Sequence, residues 1–259
     1  MRVHATAVVD STAEVDADAE VGAYAVIGAG VKLAKGVVIR PHAHVVGCTE
    51  IGEETVVYPF ASIGETPQVL SYRGEQTRLC VGARCQIREH VTINAGTVGG
   101  GGITRIGDDC LLMIGSHVGH DCQLGSGLVV GNNVLLAGHV TIEDQAWVSA
   151  SVAVQQFVRI GRSAYVAAMA GVMQDLAPFS WSQGHPVRLL KVNRIGMERH
   201  GYMPDVISDV ETAFRILFRS KLRPTEAFAR VRSELGHSAD VMHMVGFLEA
   251  AKSFARVRR

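Results

Sequence analysis

The sequence is short of large rings, of proline, and of net charge. Aromatic residues make up 6% of its 259 positions although 47% are hydrophobic, so its core has to be built from small and β-branched side chains. Seven prolines stand against 28 glycines. Lysine plus arginine and aspartate plus glutamate balance at 25 each, which removes the global electrostatic case for nucleic acid. The basic end, Arg256-Val257-Arg258-Arg259, reads as a solvated tail. Five cysteines (Cys48, Cys80, Cys85, Cys110, Cys122) form no C-x-x-C pair, which argues against a disulfide framework or a zinc ribbon and for a reducing compartment. The N-terminus has no apolar run suited to a signal peptide. No uncharged apolar stretch reaches the roughly 18 residues that a membrane span needs. These absences predict a soluble, cytoplasmic protein without a transmembrane segment.

What the chain does have is a period of six. From Val3 an aliphatic residue returns at Val9, Val15, Val21, Ile27, Leu33, Ile39, Val45, Ile51, Val57 and Ile63. The phase is lost over 64–80 and returns at Val81, Ile87 and Ile93. A glycine run interrupts it over 99–105, and it then continues from Ile106 through Leu112, Val118, Leu124, Val130, Leu136, Ile142, Val148, Val154, Ile160 and Val166 to Val172. Neither a helix nor a plain alternating strand repeats at six. A hexad is a short strand plus a tight turn, and three hexads close one triangular coil with the aliphatic residue inward. Glycine often follows that residue (Gly22, Gly52, Gly131), where a positive φ or a close backbone approach is expected. The fold class is thus an all-β parallel β-helix, a hexapeptide solenoid, over 1–178. Loops are inserted at 64–80 and 99–105, and a small α-helical domain follows over 179–259. In that domain, apolar residues recur at helical spacing over Asp205–Arg219, Thr225–Leu235 and Ser238–Arg256, with Pro204 and Pro224 at helix starts.

A β-helix core is chemically bland, so chemistry is expected where polar residues break the pattern. Ser116-His117-Val118-Gly119-His120-Asp121-Cys122 carries two histidines and an aspartate, and Gly138-His139 follows. Adding one coil of 18 residues places His120, Gly138 and Gln156 in one column and Asp121, His139 and Phe157 in the next. Residues so related lie about 4.8 Å apart. His117, His120, Asp121, His139 and Gln156 therefore gather on one edge of the prism. Two chemistries fit such a set: imidazoles and a carboxylate holding zinc, or a histidine base oriented by a carboxylate. Acid–base work is the better reading, because neighbours on a strand such as His120 and Asp121 should project to opposite faces and give no tetrahedral set. No metal is expected.

The hexad array with its two insertions, Ala61-Ser62-Ile63-Gly64-Glu65, His117-x-x-His120-Asp121-Cys122, Leu136-Ala137-Gly138-His139-Val140, Gln156-Phe157 and the helical C-terminus resemble the UDP-N-acetylglucosamine O-acyltransferases of lipid A biosynthesis over essentially the whole chain. The resemblance implies a left-handed β-helix and a homotrimer with active sites in clefts between neighbouring prisms. It implies transfer of an (R)-3-hydroxyacyl group from acyl carrier protein to the 3-position of the UDP-amino sugar, with no cofactor beyond the carrier's phosphopantetheine. His120 would be the general base, Asp121 its partner, and the Gly138 N–H the oxyanion donor. Gln68, His117, His139, Gln156, Asn193 and Arg199 would line the sugar-nucleotide and acyl pocket. Ala168 and Met169 stand where the family sets acyl length, and their bulk points to a medium-length donor. For the acidic carrier, Arg215, Arg219, Lys221 and Arg223 are the candidate docking residues.

The sequence departs from that family at Gln155, where a histidine is usual, and at Val69 and Ser71, where an acid and a base are usual. It departs again at His185-Pro186, in place of Asn-His, and at Ile195, in place of glutamate. The loss of polar groups at 69 and 71 raises the alternative of a UDP-3-amino sugar acylated on nitrogen. Further alternatives are an acetyl-CoA-dependent hexapeptide acetyltransferase, a zinc carbonic anhydrase, the later N-acyltransferase of the same pathway (which usually has an extra N-terminal domain) and a plain scaffold.

Overall fold

Each hexad becomes two extended residues and a corner. The second extended residue points inward; Ile27, Ile39, Val45, Ile63, Ile87, Ile93, Leu112 and Leu136 are all buried and stack on their copies in adjacent coils. The computed structural model describes residues 2–251. The basic tail and the end of the helix expected to reach Arg256 lie outside the described residues.

The strands sort into three parallel sheets that form the faces of a triangular, left-handed β-helix. Face A begins with Arg2–Val3, Glu20–Val21 and Val38–Ile39, face B with Val8–Val9 and Val26–Ile27, and face C with Glu14–Val15 and Lys32–Leu33. The register advances one coil at a time, as in Arg2↔Glu20 and Val129↔Trp147. From Tyr24 to Met169 the second residue of the tight corners takes the left-handed conformation whatever its type: φ is 57° at Tyr24, 61° at Asp121, 62° at His139 and 65° at Phe157. The glycines after the inward residue serve space and not φ. At Gly52 a Cβ would come 2.5 Å from the carbonyl carbon of Gly82 on the next coil, nearer than real Cβ atoms approach.

The faces differ in what they show outward. Face C presents Glu14, Lys32, Glu50, Arg105 and Arg159, whereas face A, which carries Arg2, Glu20 and Gln86 towards its N-terminal end, otherwise presents Val38, Val56, Leu111, Val129, Trp147 and Tyr165. Face B presents Val8, Val26, His44, Thr92, His117, Leu135 and Ala153.

Sheet structure continues beyond the expected boundary at 178. Ser180–Gln183 extends face A in parallel to Tyr165–Val166, and Arg188–Val192 returns antiparallel to it. The helices begin at Arg194, ahead of the first one expected at Asp205, and Phe179 and Leu189 share a second apolar core with them. Four follow among the described residues: α1 (Arg194–Arg199), α2 (Pro204–Phe214), α3 (Pro224–Leu235) and α4 (Ala239–Glu249). Pro204 and Pro224 open α2 and α3, and a π-type turn over Arg215–Arg219 prolongs α2. Helix α1 is too short for its period to show in sequence. Ion pairs moor α4 to the solenoid: His243 Nε2 lies 2.8 Å from Glu143, and Arg162 lies 3.7 Å from Asp240. Burial works against the Glu143 charge, but His243 and the Arg162 N–H together hold its carboxyl below the usual range.

Candidate active site

Both insertions leave from the corner between faces B and C, on the two coils just before the turn His120-Asp121. One runs from Ser62–Glu65 to Arg78–Val81 and the other from Thr92–Asn94 to Ile103–Ile106. Asn94, itself buried, donates from Nδ2 to the Thr66 carbonyl at 2.9 Å and so anchors the first insertion.

His120 and Asp121 occupy the turn, not a strand, which corrects the expectation that they face apart. The left-handed φ of Asp121 swings its carboxylate back beside its neighbour, and His120 Nδ1 lies 2.8 Å from Asp121 Oδ2. The Asp121 side chain has no exposed surface, and that of His120 is 10% exposed. Because an ionised carboxylate only accepts, Nδ1 carries the proton and Nε2 is the free, basic nitrogen. Thr97 donates twice to the same carboxylate, from its N–H to Oδ1 at 2.8 Å and from its hydroxyl to Oδ2 at 2.6 Å. The Asp121 N–H in turn donates to Thr104 Oγ1 at 2.8 Å. Burial acts to raise the Asp121 pKa, yet the two Thr97 donors, His120 and the nearby His139 hold it below the ordinary carboxylate range.

The columns expected from the period come together here. The His120 ring lies against Gly138, where a Cβ would meet Nε2 and Cε1 at 2.4 Å. His139 stands edge-on to His120 with centroids 5.0 Å apart, stacks on Phe157 at 4.4 Å, and has Nε2 3.7 Å from Asp121. Gln155 and Gln156 lie exposed one coil above Gly138. His117 sits on face B with Nδ1 2.8 Å from Thr92 Oγ1. Burial, and then the neighbouring His120, lowers its pKa, so it favours the neutral form. Among the described residues nothing accepts from the Gly138 N–H.

The remaining predicted residues lie elsewhere in a single chain. Asn193 and Arg199 line a cavity of about 1260 Å³ between face A (Trp147, Tyr165, Trp181) and the helices α1 and α2. The side chain of Asn193 is committed: it caps α1 through Gly196 N and donates to the Ser163 carbonyl at 2.9 Å. Arg199 is exposed and makes no ion pair among the described residues. Gln68 is exposed on the first insertion, and Ala168 and Met169 form a corner between faces A and B, with Met169 77% exposed.

A family profile described as UDP-N-acetylglucosamine O-acyltransferase, domain 2, matches residues 175–256, and a bacterial transferase hexapeptide profile matches 103–138. The acyl-[acyl-carrier-protein]–UDP-N-acetylglucosamine O-acyltransferase of Anaeromyxobacter sp. (strain Fw109-5) is 48% identical over 208 residues, covering 80% of this chain and 81% of its own. That of Rhizobium rhizogenes is 39% identical over 249 residues, covering 96% and 92%. The solved UDP-N-acetylglucosamine acyltransferase of Francisella novicida superposes with a TM-score of 0.94 at 30% identity, covering 96% of this chain and 92% of that one. The chain belongs to the UDP-N-acetylglucosamine O-acyltransferase family.

Within this family the positions that depart from its pattern now have places. Val69 and Ser71 flank Leu70, which is 99% exposed at the tip of the first insertion. Ile195 is the second residue of α1 and lines the cavity. His185-Pro186 forms the turn between the two antiparallel strands, and the His185 ring lies against Gly171 on face B. Of the basic docking candidates, Arg219 donates to the Leu190 carbonyl at 2.6 Å and Arg223 is paired with Glu226. Arg219 is thus held by the strand Arg188–Val192 and Arg223 by the first turn of α3, whereas Arg215 reaches only Thr212 of the preceding helix at 3.0 Å and Lys221 makes no ion pair among the described residues. The periodic reading missed Thr97, which the second insertion brings to Asp121 outside the hexad register, and Thr104, which stands in register one coil before Cys122 and meets Asp121 only through its backbone N–H.

Proposed function

We propose that this acyltransferase moves an (R)-3-hydroxyacyl group from acyl carrier protein to the 3-hydroxyl of UDP-N-acetylglucosamine, the first step of lipid A biosynthesis, with His120 as general base. The observation that carries this reading is the His120–Asp121 pair: a buried carboxylate holds Nδ1–H and leaves Nε2 free, with the ring lying against Gly138. His120 Nε2 takes the proton of the sugar hydroxyl as that oxygen attacks the thioester carbonyl. The resulting oxyanion is met by the Gly138 N–H. The tetrahedral adduct then collapses, the C–S bond breaks, and the imidazolium returns the proton to the departing thiol. The balance needs no cofactor beyond the phosphopantetheine that carries the acyl group.

A metal is the less supported use of the cluster, although His120, Asp121 and His139 offer ligand atoms within 4.8 Å of one another. Asp121 already accepts three hydrogen bonds, two from Thr97 and one from His120, and a cation would have to displace them. The anhydrase alternative loses ground for the same reason.

A trimer is supported by the faces. With face C charged, face A largely apolar and face B mixing aliphatic residues with His44, Thr92 and His117, the low-cost contact is heterologous, A of one copy beside B of the next, and three such contacts close a ring. The A/B corners then turn inward. The B/C corner bearing His120 opens onto the same cleft as the Asn193–Arg199 cavity of a neighbour, so two incomplete half-sites make one. Arg199 would serve the UDP phosphates, while Asn193 shapes the pocket by fixing α1. An acyl chain leaving His120 would cross face B over Leu135 and Ala153 towards Ala168 and Met169, about 13 Å further along the prism. This suits a donor of medium length. Acyl carrier protein would dock by Arg215 and Lys221, in the cytoplasm, where that carrier and the nucleotide sugar are supplied.

A second reading, N-acylation of a UDP-3-amino sugar, is favoured by one observation: Val69 and Ser71 stand in the first insertion where an acid and a base are usual in the family. Purified protein incubated with UDP-N-acetylglucosamine or its 3-amino analogue and a ladder of 3-hydroxyacyl carriers, followed by mass spectrometry, decides between them. Transfer should fall about 10²–10⁴-fold in His120→Ala. Transfer that survives the substitution, or none with any pair, rejects the general-base reading.

A further inference from the structure

The second insertion has no place in the solenoid's packing, and its reach is narrow. From Thr97 the chain makes one tight turn, with Gly100 N and Gly102 N both returning to the Thr97 carbonyl at 3.0 and 2.8 Å. Gly100 N also donates to Thr97 Oγ1 at 3.1 Å, so the hydroxyl's own proton is directed at Asp121 Oδ2, 2.6 Å away. Gly100 lies flat against that carboxylate: a Cβ there would fall 2.0 Å from Cγ and 2.2–2.4 Å from the two oxygens. No side chain larger than hydrogen fits the contact, and the Asp121 side chain is fully excluded from solvent beneath it.

We propose that the Thr97–Gly102 turn is a lid whose purpose is to hold Asp121, and that Thr97 is a positioning residue for the catalytic dyad. The turn rests on the general-base reading of His120 and adds to it what holds the carboxylate in place. One Thr97 donor goes to each carboxylate oxygen, which fixes the carboxylate plane and leaves Oδ2 facing His120 Nδ1. Through that bond the ring keeps its Nδ1–H tautomer and its angle over Gly138. Thr104 completes the device from the far end of the same insertion by accepting the Asp121 N–H.

Thr97→Val keeps shape and backbone N–H and removes only the hydroxyl. It should lower kcat about 10–100-fold, the usual cost of losing a partner that orients a reacting group, with KM for the UDP-sugar within about twofold. Thr97→Ser should restore the rate. Gly100→Ala keeps every donor and displaces the carboxylate, and should lower kcat in the same way. In the valine variant the acid limb of the kcat profile should move to higher pH, because Asp121 loses a donor to its charged form. A readout independent of turnover separates this proposal from the function itself: ¹⁵N resonances of the histidine ring nitrogens. Wild type should show His120 protonated at Nδ1, and Thr97→Val should show a tautomer mixture whether or not any sugar is acylated. A folded Thr97→Val or Gly100→Ala protein with unchanged kcat, or an unchanged His120 tautomer, overturns the proposal.

Discussion

At the corner between faces A and B, Tyr24, His42, Phe60 and His90 stack almost parallel, with centroids 5.2, 5.1 and 5.3 Å apart. At the corner between B and C, His120 stands at 89° to His139, and its Nδ1 is tied to Asp121. The backbone barely distinguishes His42 and His90, with φ of 63° and 59°, from His139 at 62°. What differs is the surroundings. His42 and His90 are exposed, and neither ring makes a side-chain hydrogen bond among the described residues. His120 has a carboxylate beside it, a glycine beneath it and an inserted turn holding that carboxylate. A histidine on a solenoid corner is therefore no signal by itself; what sets His120 apart is the insertion that leaves the same corner and holds its carboxylate.

The sharpest way to break this contrast is to make the B/C corner resemble the other by neutralising its carboxylate. Asp121→Asn turns one of the two acceptor oxygens into an NH2 donor, so Thr97 and His120 Nδ1–H compete for the one that remains, and it should cut kcat about 10³-fold, with far smaller changes in KM. It also has a consequence for stability. The folded-state pKa of Asp121 lies below its unfolded value, so the group contributes stability above the ordinary carboxylate pKa of about 3.9, and this is lost as pH falls through the lower folded value. The loss from this residue therefore begins near pH 4 and deepens below it. Thermal unfolding should show wild type losing stability over that range more steeply than Asp121→Asn. Parallel curves would mean that the charge of Asp121 is not linked to folding.

Next comes the floor of the site. Gly138→Ala would drive a methyl into the His120 ring, where the clash distance is 2.4 Å. The ring must tilt or the corner must widen, which costs about 1–3 kcal/mol of stability as overpacking does. A displacement of about 1 Å in a catalytic group costs about 10²-fold in rate. A Gly138→Ala protein of wild-type rate would show that the ring has slack, and would weaken the oxyanion role of the adjacent N–H as well.

Both effects concern columns that were readable in the sequence, and the reason is geometric. Every coil repeats the same inward site, so Val118, Leu136 and Val154 announce the period, and adding 18 to 120 finds Gly138 and Gln156 without any structure. The period does not say which hexad residues are extended, and His120-Asp121 is a turn whose left-handed aspartate brings together two side chains that a strand would separate. Nor does it follow the second insertion, so the two hydrogen bonds of Thr97 to the carboxylate are invisible to it, and it gives Thr104, one coil before Cys122, no sign of accepting the Asp121 N–H. The cap of α1 by Asn193 and the antiparallel return of Arg188–Val192 depend on tertiary contacts with Ser163 and face A that no local pattern encodes.

The smallest expected effect is at the other corner, and it is the control that gives the comparison its meaning. His42 is sandwiched between Tyr24 and Phe60, so His42→Ala removes two ring contacts from an exposed ladder. Aromatic pairs are worth about 0.5–1.5 kcal/mol beyond area burial, and exposure puts these towards the lower end, so unfolding should shift by about 1 kcal/mol. His42→Phe keeps both stacks and should recover that loss, which separates stacking from any use of the imidazole nitrogens. Neither substitution should alter kcat by more than about twofold, because among the described residues no hydrogen bond joins this ladder to Asp121. A large fall in kcat in both variants, at wild-type stability, would assign the ladder a part in the chemistry and remove the lid as the feature that divides the two corners.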